Sequence, residues 1–215
     1  MTILSLEFSS SQRSVAVSRM GAVLAEAAET GERNTAAFGM IEKALMQAKI
    51  DRNDVEAIAI GLGPGSYTGI RAAIALAQGW QLARAIKTIG ISSVTAIVVQ
   101  AQAEKIFGRV NVVVNAQREE FYLATYDITE ATCKEIAPLK ILPIAEVQSR
   151  AAAGEITTGP EAAKFFSNGR VIFPPATAIA ALAQGSENFL PGEKLEPIYL
   201  RETTFVKTRP GHLPR

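Results

Sequence analysis

The run Ala59-Ile60-Gly61-Leu62-Gly63-Pro64-Gly65-Ser66-Tyr67-Thr68-Gly69-Ile70-Arg71 constrains this chain more than any other stretch. It leaves an apolar strand through closely spaced glycines and enters a helix. Gly63 and Gly65 admit backbone torsions closed to other residues, Pro64 stiffens the turn between them, and Ser66 or Thr68 can cap the first amides of the helix. Such a helix start is electropositive and can hold an anion. No Lys follows the loop, however, as a phosphate-binding P-loop requires. Gly63, Pro64, Gly65, Ser66, Tyr67, Thr68, Gly69 and Arg71 therefore read either as a plain strand-to-helix turn or as a weak anion site.

The flanking sequence supplies more elements of both kinds. An apolar run at 3–8 and an alternating one at 14–19 predict a hairpin, and Gly21 turns the chain into a third antiparallel strand at 22–29. A helix capped by Asn34 or Thr35 is expected to run to about Lys49, with Phe38, Ile41, Leu45 and Ala48 at three- and four-residue spacing. Then come a strand at 55–61, the helix 68–85, a strand at 87–90 and a helix at 93–104. A second half opens near Arg109. Its strands are expected at 110–115, 119–127 and 133–142, its helices at 144–153, 161–168 and 177–185, and short strands at 156–158 and 171–173. Three meandering strands lead each half, which suggests a duplicated lobe although no sequence identity joins the halves. The chain is accordingly divided into a lobe at 1–105, a reduced lobe at 106–203 and a flexible tail at 204–215.

Composition narrows the functional classes. The 215 residues are 48% hydrophobic, and 22 Lys and Arg balance 21 Asp and Glu. That leaves no basic field by which the chain alone would hold a nucleic-acid backbone. The one cysteine, Cys133, cannot close an internal disulfide, and the start MTILSLEFSSSQ lacks the pattern of a signal peptide, so a cytoplasmic location is expected. No stretch approaches the ~18 apolar residues of a membrane span. His212 is the single histidine and sits in the tail, so no metal, no cofactor and no catalytic residue are expected. Glu7 stands where a carboxylate would organise magnesium in a nucleotide-hydrolysing fold, but without Thr or Gly companions it reads as non-catalytic. Glu119, Glu120 and Asp127 read as solvated edge charges, and Tyr67, Trp80 and Tyr122 as packing residues with a polar tip.

The helix 68–85 points instead to a partner. Arg71, Gln78, Gln81 and Arg84 project within an arc of about 140°, which leaves more apolar surface than one core requires. Ala72, Ala73, Ala75, Ala77 and Ala83 are small enough to allow close helix approach, Ile74 stands among them, and Phe38, Ile41 and Leu45 are offered by the preceding helix. Together these residues predict a flat apolar interface.

The run at 63–71 resembles the Gly-Pro-Gly-Ser-aromatic-Thr-Gly-Ile/Leu-Arg hallmark of the TsaB (YeaZ) family. Further matches follow in order: Ile3-Leu4-Ser5-Leu6, Ile89-Gly90-Ile91-Ser92-Ser93-Val94, the stretch from Val113 to Tyr122, and Glu196-Pro197-Ile198-Tyr199-Leu200-Arg201. The chain departs from the family at Glu7-Phe8-Ser9, where Asp-Thr-Ser is usual, at Asn34-Thr35, often His-Ser, and at Asn115, usually Asp. The resemblance implies an α/β, actin-like ATPase (ribonuclease H-like) fold of two lobes with the second reduced. It also implies a non-catalytic subunit that activates a homologous TsaD-like subunit in threonylcarbamoyl transfer to tRNA adenosine. Pairing would use the first two helices, with a TsaE-like P-loop ATPase as a further partner, a homodimer when alone, and tRNA reached only through the complex. The alternative is a small kinase or ATPase of the same superfamily, which normally needs a longer chain. A zinc glycoprotease, the third reading, lacks metal ligands and a nucleophile–base pair.

Overall fold

The first three strands, β1 (Thr2–Glu7), β2 (Gln12–Arg19) and β3 (Ala22–Thr30), form an antiparallel meander. They belong to a computed structural model that describes residues 1–31 and 36–201. After α1 (Ala37–Ala48), β4 (Ala57–Gly61) pairs parallel to β1. Beyond α2 (Tyr67–Arg84), β5 (Lys87–Ile91) pairs parallel to β4, and α3 (Ser93–Ala103) follows. The sheet order is β3-β2-β1-β4-β5. β1 is buried throughout because helices cover both faces. Leu4, Leu6 and Phe8 face α1 and α2, whereas Ile3 faces the opposite layer.

The second half repeats this plan. β6 (Gly108–Gln117), β7 (Glu120–Ile128) and β8 (Cys133–Pro143) form a meander, with Gln117, Arg118 and Glu119 in left-handed conformation at its first turn. α4 (Ile144–Ala152), β9 (Ile156–Gly159), α5 (Ala162–Phe165) and β10 (Gly169–Val171) complete a sheet ordered β10-β9-β6-β7-β8. Read from β8 inward, that order is the one found in the first sheet. The duplication suggested by element order is therefore present in the topology, and the architecture is the actin-like α/β fold.

Two expectations need correction. The helix predicted over 161–168 is a single turn, because extended backbone at Phe166 puts that ring into the core beside Phe121. More consequentially, the described part of the expected second lobe, residues 106–201, does not pack as one body. α6 (Ala176–Ala183) lies against the first sheet, where Ala178, Ile179 and Ala183 meet Ile3, Ala57 and Ala59. Leu195 enters the core beneath α1 and α2. α3 is apolar on more than one side for a related reason: Val94, Ile97 and Val98 pack under the second sheet while Ala96 packs with α6. The expected caps Asn34 and Thr35, the tail 204–215 and His212 lie outside the described residues.

Candidate functional site

The glycine loop is built on Glu7. At the end of β1 this side chain is fully buried, with Oε1 accepting from the Ser9 amide (2.7 Å) and Oε2 from the Ser93 hydroxyl (2.7 Å). Ser93 Oγ in turn accepts from the Gly63 amide (3.1 Å), and its own amide donates to the Gly63 carbonyl (2.9 Å). Burial holds the Glu7 carboxyl above the ordinary carboxylate range, against the opposing pull of hydrogen bonds from Ser9 and Ser93. Gly61 is required beside it, since a Cβ there would fall on the Glu7 carboxylate. Gly65, at φ +152°, packs against the Ser9 carbonyl, which also accepts from the Ser66 amide (2.7 Å). Ser66 then caps α2, its hydroxyl accepting from the Gly69 amide (3.3 Å). Glu7 thus braces the loop from beneath.

Above the loop the lobes enclose a cleft of ≈ 460 Å³. Ser9, Ser10, Arg13, Gly65 and Ser66 line its first-lobe wall, and Asn115, Gln117, Tyr122 and Glu161 line the second. Among the described residues no group of three or more His, Cys, Asp or Glu side chains is placed to hold a metal ion.

A larger and more apolar depression lies on the outer face. α1 and α2 border a groove of ≈ 820 Å³ with Ile41, Leu45, Leu76 and Trp80 along it and Phe38 standing at its edge, 73% exposed. Ala72, Ala75, Gly79 and Ala83 form an exposed ledge of small residues on α2, and a Cβ at Gly79 would meet nothing within 4 Å. The acids Glu42 and Asp51 and the bases Arg52 and Arg84 stand around it. Among the described residues no helix is long and apolar enough to cross a membrane.

The residues expected to form a flat interface divide between two environments. Phe38 and Ala72 are exposed, but Ala73, Ile74 and Ala77 point into the chain's own core, and Ile41 and Leu45 are core residues that reach the groove only at its floor. The reason is that the apolar arc of α2 serves two neighbours, with the sheet taking 70, 73, 74 and 77 and the groove taking 72, 75, 76, 79 and 83. The polar arc is not a solvated face either. Gln78 Nε2 donates to the Gly192 carbonyl (2.9 Å) and Gln81 Oε1 accepts from the Gly192 amide (2.6 Å), so a coil from the far end of the sequence runs along α2. Glu120, expected as an edge charge, pairs with Arg201 of that coil. Tyr67 stacks on Tyr199 with ring centroids 5.5 Å apart, yet remains 56% exposed. Sequence reasoning missed Leu76, Gly79 and Trp80 as groove residues, although the four- and three-residue spacing of Ala72, Ala75, Gly79 and Ala83 marks the ledge. The part played by Ser93 had no such signal.

A model of the family described as TsaD, tRNA N6-adenosine threonylcarbamoyltransferase, matches residues 7–196. The chain is 28% identical over 191 residues to the tRNA threonylcarbamoyladenosine biosynthesis protein TsaB of Escherichia coli, covering 80% of this chain and 82% of that protein. It is 29% identical over 192 residues to the protein of the same name from Haemophilus influenzae, covering 80% and 81%. Among solved structures it is similar to YeaZ from Pseudomonas aeruginosa, with a TM-score of 0.78 and 25% identity over 93% of this chain and 99% of that one. A second Pseudomonas aeruginosa structure, described as an uncharacterized protein with similarity to peptidase YEAZ, gives a TM-score of 0.79 at 26% identity, with the same coverage.

Proposed function

Because the chain belongs to the TsaD family of tRNA N6-adenosine threonylcarbamoyltransferases, and within it is a TsaB/YeaZ protein, we propose that it is a non-catalytic accessory subunit in tRNA threonylcarbamoyladenosine biosynthesis. It binds and activates a TsaD-like subunit in the cytoplasm, and it reaches tRNA through that complex, which a TsaE-like P-loop ATPase joins. Alone, it pairs with a second copy. The reading rests on one observation above all, the apolar groove that α1 and α2 leave open beside the small-residue ledge of α2. An apolar depression of that size with a protruding aromatic at its edge is what an interface core requires. Two features support the absence of chemistry. Glu7, the carboxylate best placed by sequence, is buried and occupied by Ser9 and Ser93. The glycine loop carries no lysine to reach a phosphate.

The test is co-elution with a TsaD-type protein in gel filtration, followed by titration calorimetry. Ala75 is exposed, so Ala75→Arg leaves the fold intact while filling the ledge with a charge. Association is expected to weaken at least about 30-fold, the effect of removing one central contact of an interface. Unchanged affinity in Ala75→Arg, or sustained ATP turnover by the purified chain alone, overturns the reading.

A further inference from the structure

The coil after α6 has two parts held in different ways. Its inner part is anchored. Leu190 bridges to Thr88 on the edge of β5, Gly192 sits between Gln78 and Gln81, and Leu195 is buried in the core under α1 and α2. The outer part, residues 196–201, runs from the glycine loop of the first lobe to the second lobe. The Ile198 amide donates to the Leu62 carbonyl (2.8 Å) at the start of the glycine loop. Tyr199 stacks on Tyr67, whose ring also lies 4.4 Å from the Arg71 guanidinium carbon. Arg201 then reaches the second lobe, donating to the Ala116 carbonyl (3.2 Å) and pairing with the Glu120 carboxylate.

We propose that residues 196–201 form a releasable clasp that latches the second lobe to the glycine loop and so sets the width of the cleft between the lobes. The contrast with the remaining lobe contacts carries this inference. Elsewhere the lobes are joined chiefly by buried groups: α3 is packed with both halves, and the Ser14 hydroxyl accepts from the Ala176 amide at the entry to α6, although the exposed Gln102 side chain also donates to the Thr129 carbonyl (2.8 Å). At the clasp every group is partly open to solvent, with Arg201 and Glu120 side chains 34% and 39% exposed and Tyr199 38% exposed. Half-exposed ion pairs and stacks contribute little each and are screened by salt, whereas Leu195 cannot leave without opening a core. Detachment therefore stops at Leu195. The clasp contacts two residues that line the cleft, Tyr67 through Tyr199 and Ala116 through Arg201. Releasing Tyr199 and Arg201 frees both walls to separate about the buried joint.

The clasp is tested on the full chain with spin labels at Lys43→Cys in the first lobe and Glu130→Cys in the second, both exposed, in a Cys133→Ser background. Double electron–electron resonance is expected to give one narrow distance with the clasp intact, and a broader, longer distribution in Tyr199→Ala/Arg201→Ala. Hydrogen exchange at the Ile198 amide is expected to rise about tenfold or more in that variant, while exchange at Leu195 stays unchanged. Raising the salt concentration should broaden the distribution of the otherwise unaltered chain and leave Arg201→Gln insensitive. If the double variant does not fold, that salt comparison decides the matter. Identical distances in every variant and at every salt concentration, with unchanged Ile198 exchange, overturn the proposal.

Discussion

At the scale of single residues, Glu7 is the most informative side chain. Its carboxyl is raised by burial and has only neutral donors against it, so ionisation is penalised in the folded state alone. The sign follows from linkage. A carboxyl whose folded value lies above its unfolded one contributes stability that is complete below the unfolded value and is lost as pH rises through the folded value. Between those two values the native chain should lose stability with rising pH, and Glu7→Gln should remove that part of the slope. Urea midpoints for the two proteins, measured at intervals from pH 4 upward, check this; Glu26, also raised by burial, cancels in the difference. Gly61 supplies a second prediction. A methyl group there must displace the carboxylate, and Gly61→Ala is expected to cost about 1–3 kcal/mol by urea denaturation, the usual penalty for overpacking.

At the scale of elements, α2 is a helix with two apolar faces and one polar arc, all three in use. Ala77 faces the sheet and Gly79, two positions on, faces out. Ala77→Asp places an unpaired carboxylate in the core and is expected to cost at least about 3 kcal/mol or prevent folding. Gly79→Ala removes a flexible residue from an exposed helix interior and should stabilise the isolated chain by about 1 kcal/mol, seen as a rise of several degrees in Tm. The existence of this helix was legible in the sequence, as were its Ser66 cap and most strand positions. Its facing was not. Periodicity reports that a helix has an apolar arc, but only the neighbours decide which part of that arc they cover, and here one neighbour, the coil around Gly192, arrives from more than 100 residues away in the chain.

At the scale of the whole molecule, the described residues cross between the lobes three times, at α3, at α6 and in the coil that reaches Arg201. A division near residue 105 is therefore a division of topology and not of cores. Leu195→Ala should destabilise the first lobe by about 2–5 kcal/mol, as core truncations do, although it lies in the second half of the sequence. Calorimetry should give one cooperative transition for the full chain, with equal calorimetric and van't Hoff enthalpies. A fragment of residues 1–105 should show none, because it lacks α6 and Leu195.

The sequence by itself determined the order of the elements, the turn chemistry of residues 63–71 and the family resemblance, because each depends on spacing within a short segment. The tertiary structure alone decided that Glu7 braces the loop from beneath, that α2 turns Ala72, Ala75 and Gly79 outward, and that α6 and the coil as far as Leu195 return to the first sheet. Those outcomes depend on which distant surfaces bury one another, a sum over the whole fold that no local pattern contains.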